Sequence, residues 1–154
     1  MSIAIDFGGG DTSLAGLVQQ WPNLAQSLTD AGIEPVLVVL LGPSEDDLTM
    51  LAALDALGFR PAATLFVANL GLAGQGGERE FGAVFAHSVY RAAVERGAVE
   101  VRMPRNYAAP RLGQLAFLKA GKPESGLGVF DRSRVETWLR DMDAAFAPVA
   151  NWLP

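Results

Sequence analysis

Val36-Leu37-Val38-Val39-Leu40-Leu41, entered from Pro35 and closed by Gly42-Pro43, is a solid apolar block of strand length. A run without polar interruption is the pattern of a strand buried on both faces, and such strands belong to parallel sheets covered by helices. A second block, Ala63-Thr64-Leu65-Phe66-Val67-Ala68, stops at Asn69-Leu70-Gly71. A shorter run, Ile3-Ala4-Ile5, precedes both and is stopped by Asp6 and a string of glycines. The last, Val99-Glu100-Val101-Arg102-Met103, alternates and stops at Pro104, as a strand nearer a sheet edge does.

Helical periods fill the gaps. Leu14, Leu17, Val18 and Trp21 share a face, with Asp11, Thr12 or Ser13 as N-cap and Pro22 as a break. A continuation through Leu24 and Leu28 ends at Gly32. Ser44 with Asp47 has the spacing of a capping box, leading a helix that turns Met50, Leu51, Leu54 and Leu57 inward until Gly58. Phe81, Val84, Phe85, Val89, Ala92 and Ala93 form a third face closed by Gly97, and Tyr107 to Ala120 a fourth helix ended by Gly121. Ser133 and Glu136 have capping-box spacing before a stripe of Val135, Trp138, Leu139, Met142 and Phe146. The order β-α-β-α-β-α-β-α-α predicts an α/β fold: a doubly wound, mostly parallel sheet of about four strands flanked by helices. Gly74–Gly77 reads as a mobile loop, and without a repeat or linker residues 1–154 read as a single α/β domain.

Composition narrows the chemistry. The chain has 154 residues, half of them apolar and 19% charged, with no cysteine and one histidine. A globule of that length buries roughly 70% of its unfolded surface and needs no disulfide or zinc staple. Without cysteine, disulfide frameworks, thiol nucleophiles and iron–sulfur ligation are excluded; with one histidine, so is a two-histidine mechanism. A net charge of −5 argues against nucleic acid as the main partner. Met1 to Asp6 lacks the basic start and apolar stretch of a signal peptide, and no run approaches the ~20 apolar residues of a membrane span. A cytoplasmic protein is expected.

Ligands of open parallel sheets bind beyond the carboxyl ends of the strands. Here those ends are Asp6 to Thr12, Gly42 to Asp47, Asn69 to Gly77 and Pro104 to Tyr107. The first is the most unusual: Asp6-Phe7-Gly8-Gly9-Gly10-Asp11-Thr12 sets an acid at a strand tip, then three glycines, then a helix start. Glycines let backbone N–H groups approach a phosphate, the helix start adds a favourable dipole, and the acid can hold Mg²⁺ directly or through water. The plainer alternative is a tight turn with Asp6 or Asp11 as a cap. Gly8 and Gly10 fit half of a G-x-G-x-x-G dinucleotide fingerprint, but Ser13 stands at the third glycine and no acid ends the second strand. The D-x-G-G-G-T string of actin-like and chaperone ATPases sits in a hairpin, whereas here a strand leads to a helix.

Asp6-Phe7-Gly8-Gly9 is a D-x-x-G that resembles the switch II motif of ParA/MinD-type P-loop ATPases, and the later segments follow that family's order. Leu37 to Pro43 with Ser44-Glu45-Asp46-Asp47-Leu48 is similar to its strand, P-S and helix. Leu65 to Asn69 resembles the strand ending in the asparagine that reads adenine, and Val101 to Arg105 the late strand whose proline loop lies against the base. The Gly-Gly-Gly-Asp and Leu-Leu-Gly-Pro variants look closest to a plasmid branch with TraL- and StbC-like conjugation proteins. The resemblance spans Asp6 to Arg105 and implies a P-loop NTPase-like fold, in part, that binds ATP or ADP with Mg²⁺. It would give Asp6 a water-mediated Mg²⁺ contact, put Gly8, Gly9 and Gly10 at the phosphates with the Gly9 N–H sensing the γ-phosphate, and set Asn69 and the Pro104 backbone at the base. Asp11 has no counterpart role.

The family's Gly-Lys-Ser/Thr phosphate loop belongs before switch II, yet only five residues precede Asp6. The sole Gly-Lys pair, Gly121-Lys122, is followed by Pro123, with Ala116 at the leading glycine's place. Without that lysine and its backbone nest the triphosphate loses its main electrostatic support, so unaided ATP hydrolysis is not expected and no catalytic residue is assigned. In the family the phosphate-loop strand lies beside the switch II strand. Its absence would leave Ile3 to Asp6 as an apolar sheet edge, which predicts a homo-oligomer or protein partner there, or a start upstream of Met1. The expected function is a degenerate or truncated ParA/MinD-like domain of plasmid partition or conjugation, acting through protein contacts. The competing readings are a self-contained α/β binding or scaffold module without nucleotide, and a Rossmann-type enzyme.

The remaining candidates have simpler explanations. His87 falls off the Phe81/Val84/Phe85 stripe and reads as a boundary histidine. Glu45-Asp46-Asp47 suits the dipole of a first helical turn. Arg102, Arg105 and Arg111 with Tyr107 form the only basic cluster; it can meet a phosphate, an acidic partner or DNA backbone, but ordinary solvated charge explains it better. Trp21, Trp138 and Trp152 read as packing residues, and Ser13, Ser44 and Ser88 lack a nucleophile-elbow context.

Overall fold

β1 (Val36–Leu41), β2 (Ala63–Asn69) and β3 (Val99–Met103) lie side by side in that order, all parallel, in a computed structural model that describes residues 3–7, 12–107 and 127–152. The register pairs Val39 with Phe66 and Leu41 with Ala68, then Phe66 with Glu100 and Asn69 with Met103. The fold is thus α/β, with a three-stranded parallel open sheet flanked by helices.

One face, carrying Leu37, Val39, Leu41, Phe66 and Ala68, is covered by α3 (Thr49–Ala56), α4 (Gly82–Ala86) and α5 (Ser88–Glu95) through Leu51, Val84, Tyr90 and Ala93. Towards the β1 side, α1 (Ser13–Gln20) and α2 (Leu24–Asp30) extend this layer by packing Val18, Leu24 and Ala25 against Leu54 and Phe59. The opposite face is covered by the end of α6 (Val129–Phe146) and a 3-10 turn at Ala147–Trp152, where Val149 packs on Leu65, Val67 and Val101. Gly58 and Gly97 end α3 and α5 at φ +73° and +101°, a region only glycine enters cheaply. The following amides, Phe59 and Ala98, close back on the Leu54 and Ala93 carbonyls at 3.0 Å.

Several expectations are corrected. The sheet has three strands among the described residues, not four: Ile3–Phe7 is in no strand, and Ile3 and Ile5 are 74% and 70% exposed. Two large side chains offer little burial against a backbone ordering cost of about 1–2 kcal/mol per residue. Among the described residues the open apolar edge is therefore that of β1. Nor is β1 covered on both faces, because the α6 side reaches only β2 and β3, leaving Val38 and Leu40 43% and 69% exposed.

Helix starts also differ. Ser44 Oγ accepts from Asp46 N at 3.3 Å at the head of a 3-10 turn, Glu45–Leu48, while the Asp47 carboxylate turns back to accept from Gly42 N at 2.5 Å. The third helix is broken at half-buried His87, whose extended backbone ends α4 and whose Nδ1 accepts from Val89 N at 3.2 Å to cap α5. α6 begins at Val129 with Gly128 as N-cap, so Ser133 and Glu136 are interior positions rather than a capping box. Of its expected inward stripe only Val135 is fully buried, and Leu139 is exposed. Gly74–Gly77 is tied down: Gly74 N and Gly76 N donate to the two Glu80 carboxylate oxygens at 2.6 and 2.8 Å. The helix expected over Tyr107 to Ala120 lies, beyond Tyr107, outside the described residues.

Candidate functional site

The carboxyl ends of β2 and β3 are held level by their register, Asn69 opposite Met103, and by Leu70 N, which donates to the Met103 carbonyl at 3.0 Å. Asn69 Oδ1 accepts from Gly71 N at 2.9 Å, the short side-chain turn that swings the chain off the sheet. With its oxygen so engaged, the Asn69 carboxamide keeps its NH2 as a donor. Across from it, Pro104 follows β3 directly, and its carbonyl accepts from the Trp138 indole Nε1 at 2.7 Å.

Between these strand ends and α6 lies a cleft of about 660 Å³ lined by Leu70, Pro104, Arg105, Tyr107, Trp138 and Asp141, among others. That volume falls within the ~300–1,000 Å³ usual for small-molecule sites. Ser133, Arg134, Thr137, Trp138 and Asp141 of α6 all line it, at the spacing of one helical face, while fully buried Val135 points elsewhere. Asn69 and Pro104, expected at a base, are thus brought to the same end of the sheet, with Pro104 in the cleft wall.

Charges around the cleft divide into paired and open. Arg102, on the opposite sheet face, is held by Glu78 and by Glu100 at 2.7 Å, so it leaves the expected basic cluster. Arg134 meets Asp131 loosely, at 3.6 Å. Arg105 has no ion-pair partner among the described residues and lies 6.0 Å from the centre of the Tyr107 ring. The two amides from Gly74 and Gly76 hold the Glu80 carboxyl below its ordinary value, and Arg105 lowers it further. Arg111 lies outside the described residues.

Asp6 is exposed, is off the sheet and does not line this cleft. Gly8, Gly9, Gly10 and Asp11 lie outside the described residues. Among the described residues no three acidic or histidine side chains are grouped to hold a metal. Asn69 and Pro104 stand at neighbouring strand ends, Pro104 alone lining the cleft, and the described residues include no lysine. No helix among the described residues is long and apolar enough to cross a membrane. A smaller cavity of about 240 Å³ at the amino ends of the strands is a seam whose charges satisfy each other, Asp55 pairing with Arg60 and Arg96 at 2.8 and 2.7 Å.

The α6 wall escaped the sequence reading. Its signal lies in the polar residues at 133, 134, 137 and 141, which the spacing of Trp138 with Val135, Leu139 and Met142 masks as part of a core stripe. Comparison of the chain with protein-family models, with curated proteins and with solved structures found no match.

Proposed function

We propose that the chain is a degenerate or truncated ParA/MinD-like domain, P-loop NTPase-like in part, that binds ATP or ADP at the carboxyl ends of β2 and β3 and acts through protein contacts. The observation that carries this is the pairing of Asn69 with Met103, which brings Asn69 to the same end of the sheet as Pro104, a wall residue of a nucleotide-sized cleft. A base there meets a ring-nitrogen partner in the Asn69 NH2 and apolar surface in Leu70 and Pro104. Hydrolysis is not assigned, since the Gly-Lys-Ser/Thr loop is missing from the sequence. Plasmid partition or conjugation is the setting that the motif order suggests.

The contact surface in this account is the free edge of β1, with Val38 and Leu40 exposed beside it, and the partner is a second copy or another protein. A nucleotide-free α/β scaffold is favoured by one observation, the distance of Asp6 from any sheet position or cleft wall. Thermal-shift titration with Mg-ATP, Mg-ADP and NAD(P) separates the readings. Stabilisation by the adenine nucleotides supports the proposal, a response to NAD(P) alone supports a Rossmann-type site, and no response to any of them supports the scaffold.

A further inference from the structure

Two charged side chains in the cleft make no ion pair among the described residues. Arg105, on the segment after β3, lies 6.0 Å from the centre of the Tyr107 ring and near enough to Glu80 to lower its carboxyl without bonding to it, and Asp141, on α6, is exposed with no hydrogen bond or ion pair among the described residues. Trp138 lines the same cleft, and its N–H donates to the Pro104 carbonyl, so its ring is a fixed wall. Arg134, one turn before Trp138, is only loosely engaged at 3.6 Å from Asp131. Arg134 and Asp141 are seven residues apart, roughly 10 Å along the helix.

A ligand complementary to this set carries an anion for a guanidinium, hydroxyl or amino donors for a carboxylate, and a planar body for an aromatic wall. Inorganic phosphate lacks the planar body and fills little of a 660 Å³ space, and a neutral sugar lacks the anion. A nucleoside phosphate has all three. We infer that Arg105 takes the phosphate and Asp141 the ribose hydroxyls of a nucleotide bound in this cleft, which makes α6 the helix that reads the sugar. This rests on the nucleotide-binding reading above. It supplies from Arg105 a cation where the sequence lacks the phosphate-loop lysine, since a guanidinium binds phosphate through paired N–H donors.

The test is calorimetric titration of the full chain with ADP, adenosine and 2′,3′-dideoxy-ADP at low salt. ADP is expected to bind at least tenfold more tightly than adenosine. Arg105→Ala brings ADP down to the adenosine level and leaves adenosine unchanged, with Arg105→Lys intermediate. Asp141→Asn weakens ADP several-fold and leaves the dideoxy analogue unchanged, while Glu136→Gln, on the exposed side of α6 away from the cleft, changes neither. If the chain binds ADP and both cleft variants bind it equally well, this assignment is overturned and the nucleotide reading stands. If neither ADP nor adenosine binds the unaltered chain, the nucleotide reading falls and takes the assignment with it.

Discussion

The indole Nε1 of Trp138 donates to the carbonyl oxygen of Pro104 at 2.7 Å, tying the middle of α6 to the first residue beyond β3. That bond fixes one wall of the cleft against the strand end that forms another. Trp138→Phe keeps most of the ring and deletes the donor, leaving a half-buried carbonyl without it. A stability loss of about 1–2 kcal/mol is expected in urea unfolding, with weaker ADP binding. Unchanged stability would mean that the bond does not hold the wall.

Tyr90 joins two layers of the opposite face. Its ring lies 4.7 Å from Phe66 and 5.3 Å from Phe85, centre to centre, and its hydroxyl donates to Glu100 on β3. Burial first, then the hydrogen bond to Glu100 and that residue's charge, push the Tyr90 hydroxyl far above the ordinary 10. A raised folded value means that this contribution to stability is complete below about pH 10 and is lost as pH rises towards the folded value. Ultraviolet titration should show one tyrosine that stays un-ionised until the chain unfolds, and Tyr90→Phe should abolish that behaviour at a cost of about 1 kcal/mol.

Glu80 predicts the reverse dependence. The Gly74 amide, then the Gly76 amide, lower its carboxyl, and Arg105 adds to the effect. With the folded value below the ordinary 4.5, the closure of the loop is complete above that pH and weakens as pH falls through the folded value. Exchange of the Gly74 and Gly76 amides, followed by NMR, should be slow near neutrality and quicken in acid after correction for intrinsic rates. Glu80→Gln should quicken it at neutral pH. Gly74→Ala should do the same, because an added Cβ would stand 2.8 Å from Glu80 Oε1.

Leu40 tests the edge of β1. At 69% exposure it is mostly in solvent, so Leu40→Lys should shift monomer stability by no more than about 0.5 kcal/mol. Self-association of the unaltered chain in analytical ultracentrifugation should fall in the variant, as a charge beside an open strand edge discourages pairing. A chain that is monomeric at high concentration before any substitution would contradict self-pairing at this edge.

The parallel sheet was legible because β2 is apolar at every position that packing requires, and Leu65, Phe66, Val67 and Ala68 are all buried. The same pattern misled at β1: an apolar strand is compatible with two covered faces but does not compel them, and Val38 and Leu40 lie beyond the reach of the α6 side. Gly32, Gly58 and Gly97 marked their helix ends because each needs a positive φ there. Ser133 failed as a start signal because capping chemistry tells where a helix can begin, and the chain was already helical at Val129. Asn69 and Pro104 were findable from their strand ends. Arg134, Thr137 and Asp141 were not, since only tertiary packing decides which polar stripe of α6 turns towards β3.

Hydrogen–deuterium exchange of the full chain with and without Mg-ADP tests the central claim most directly, because it reports both binding and place. The account predicts slowed exchange at residues 70–77, 105–107 and 133–141, the strand ends and the α6 face around the cleft, with the amino-end seam near Arg60 unchanged. No slowing at saturating Mg-ADP, or slowing confined to regions away from the cleft, would contradict it.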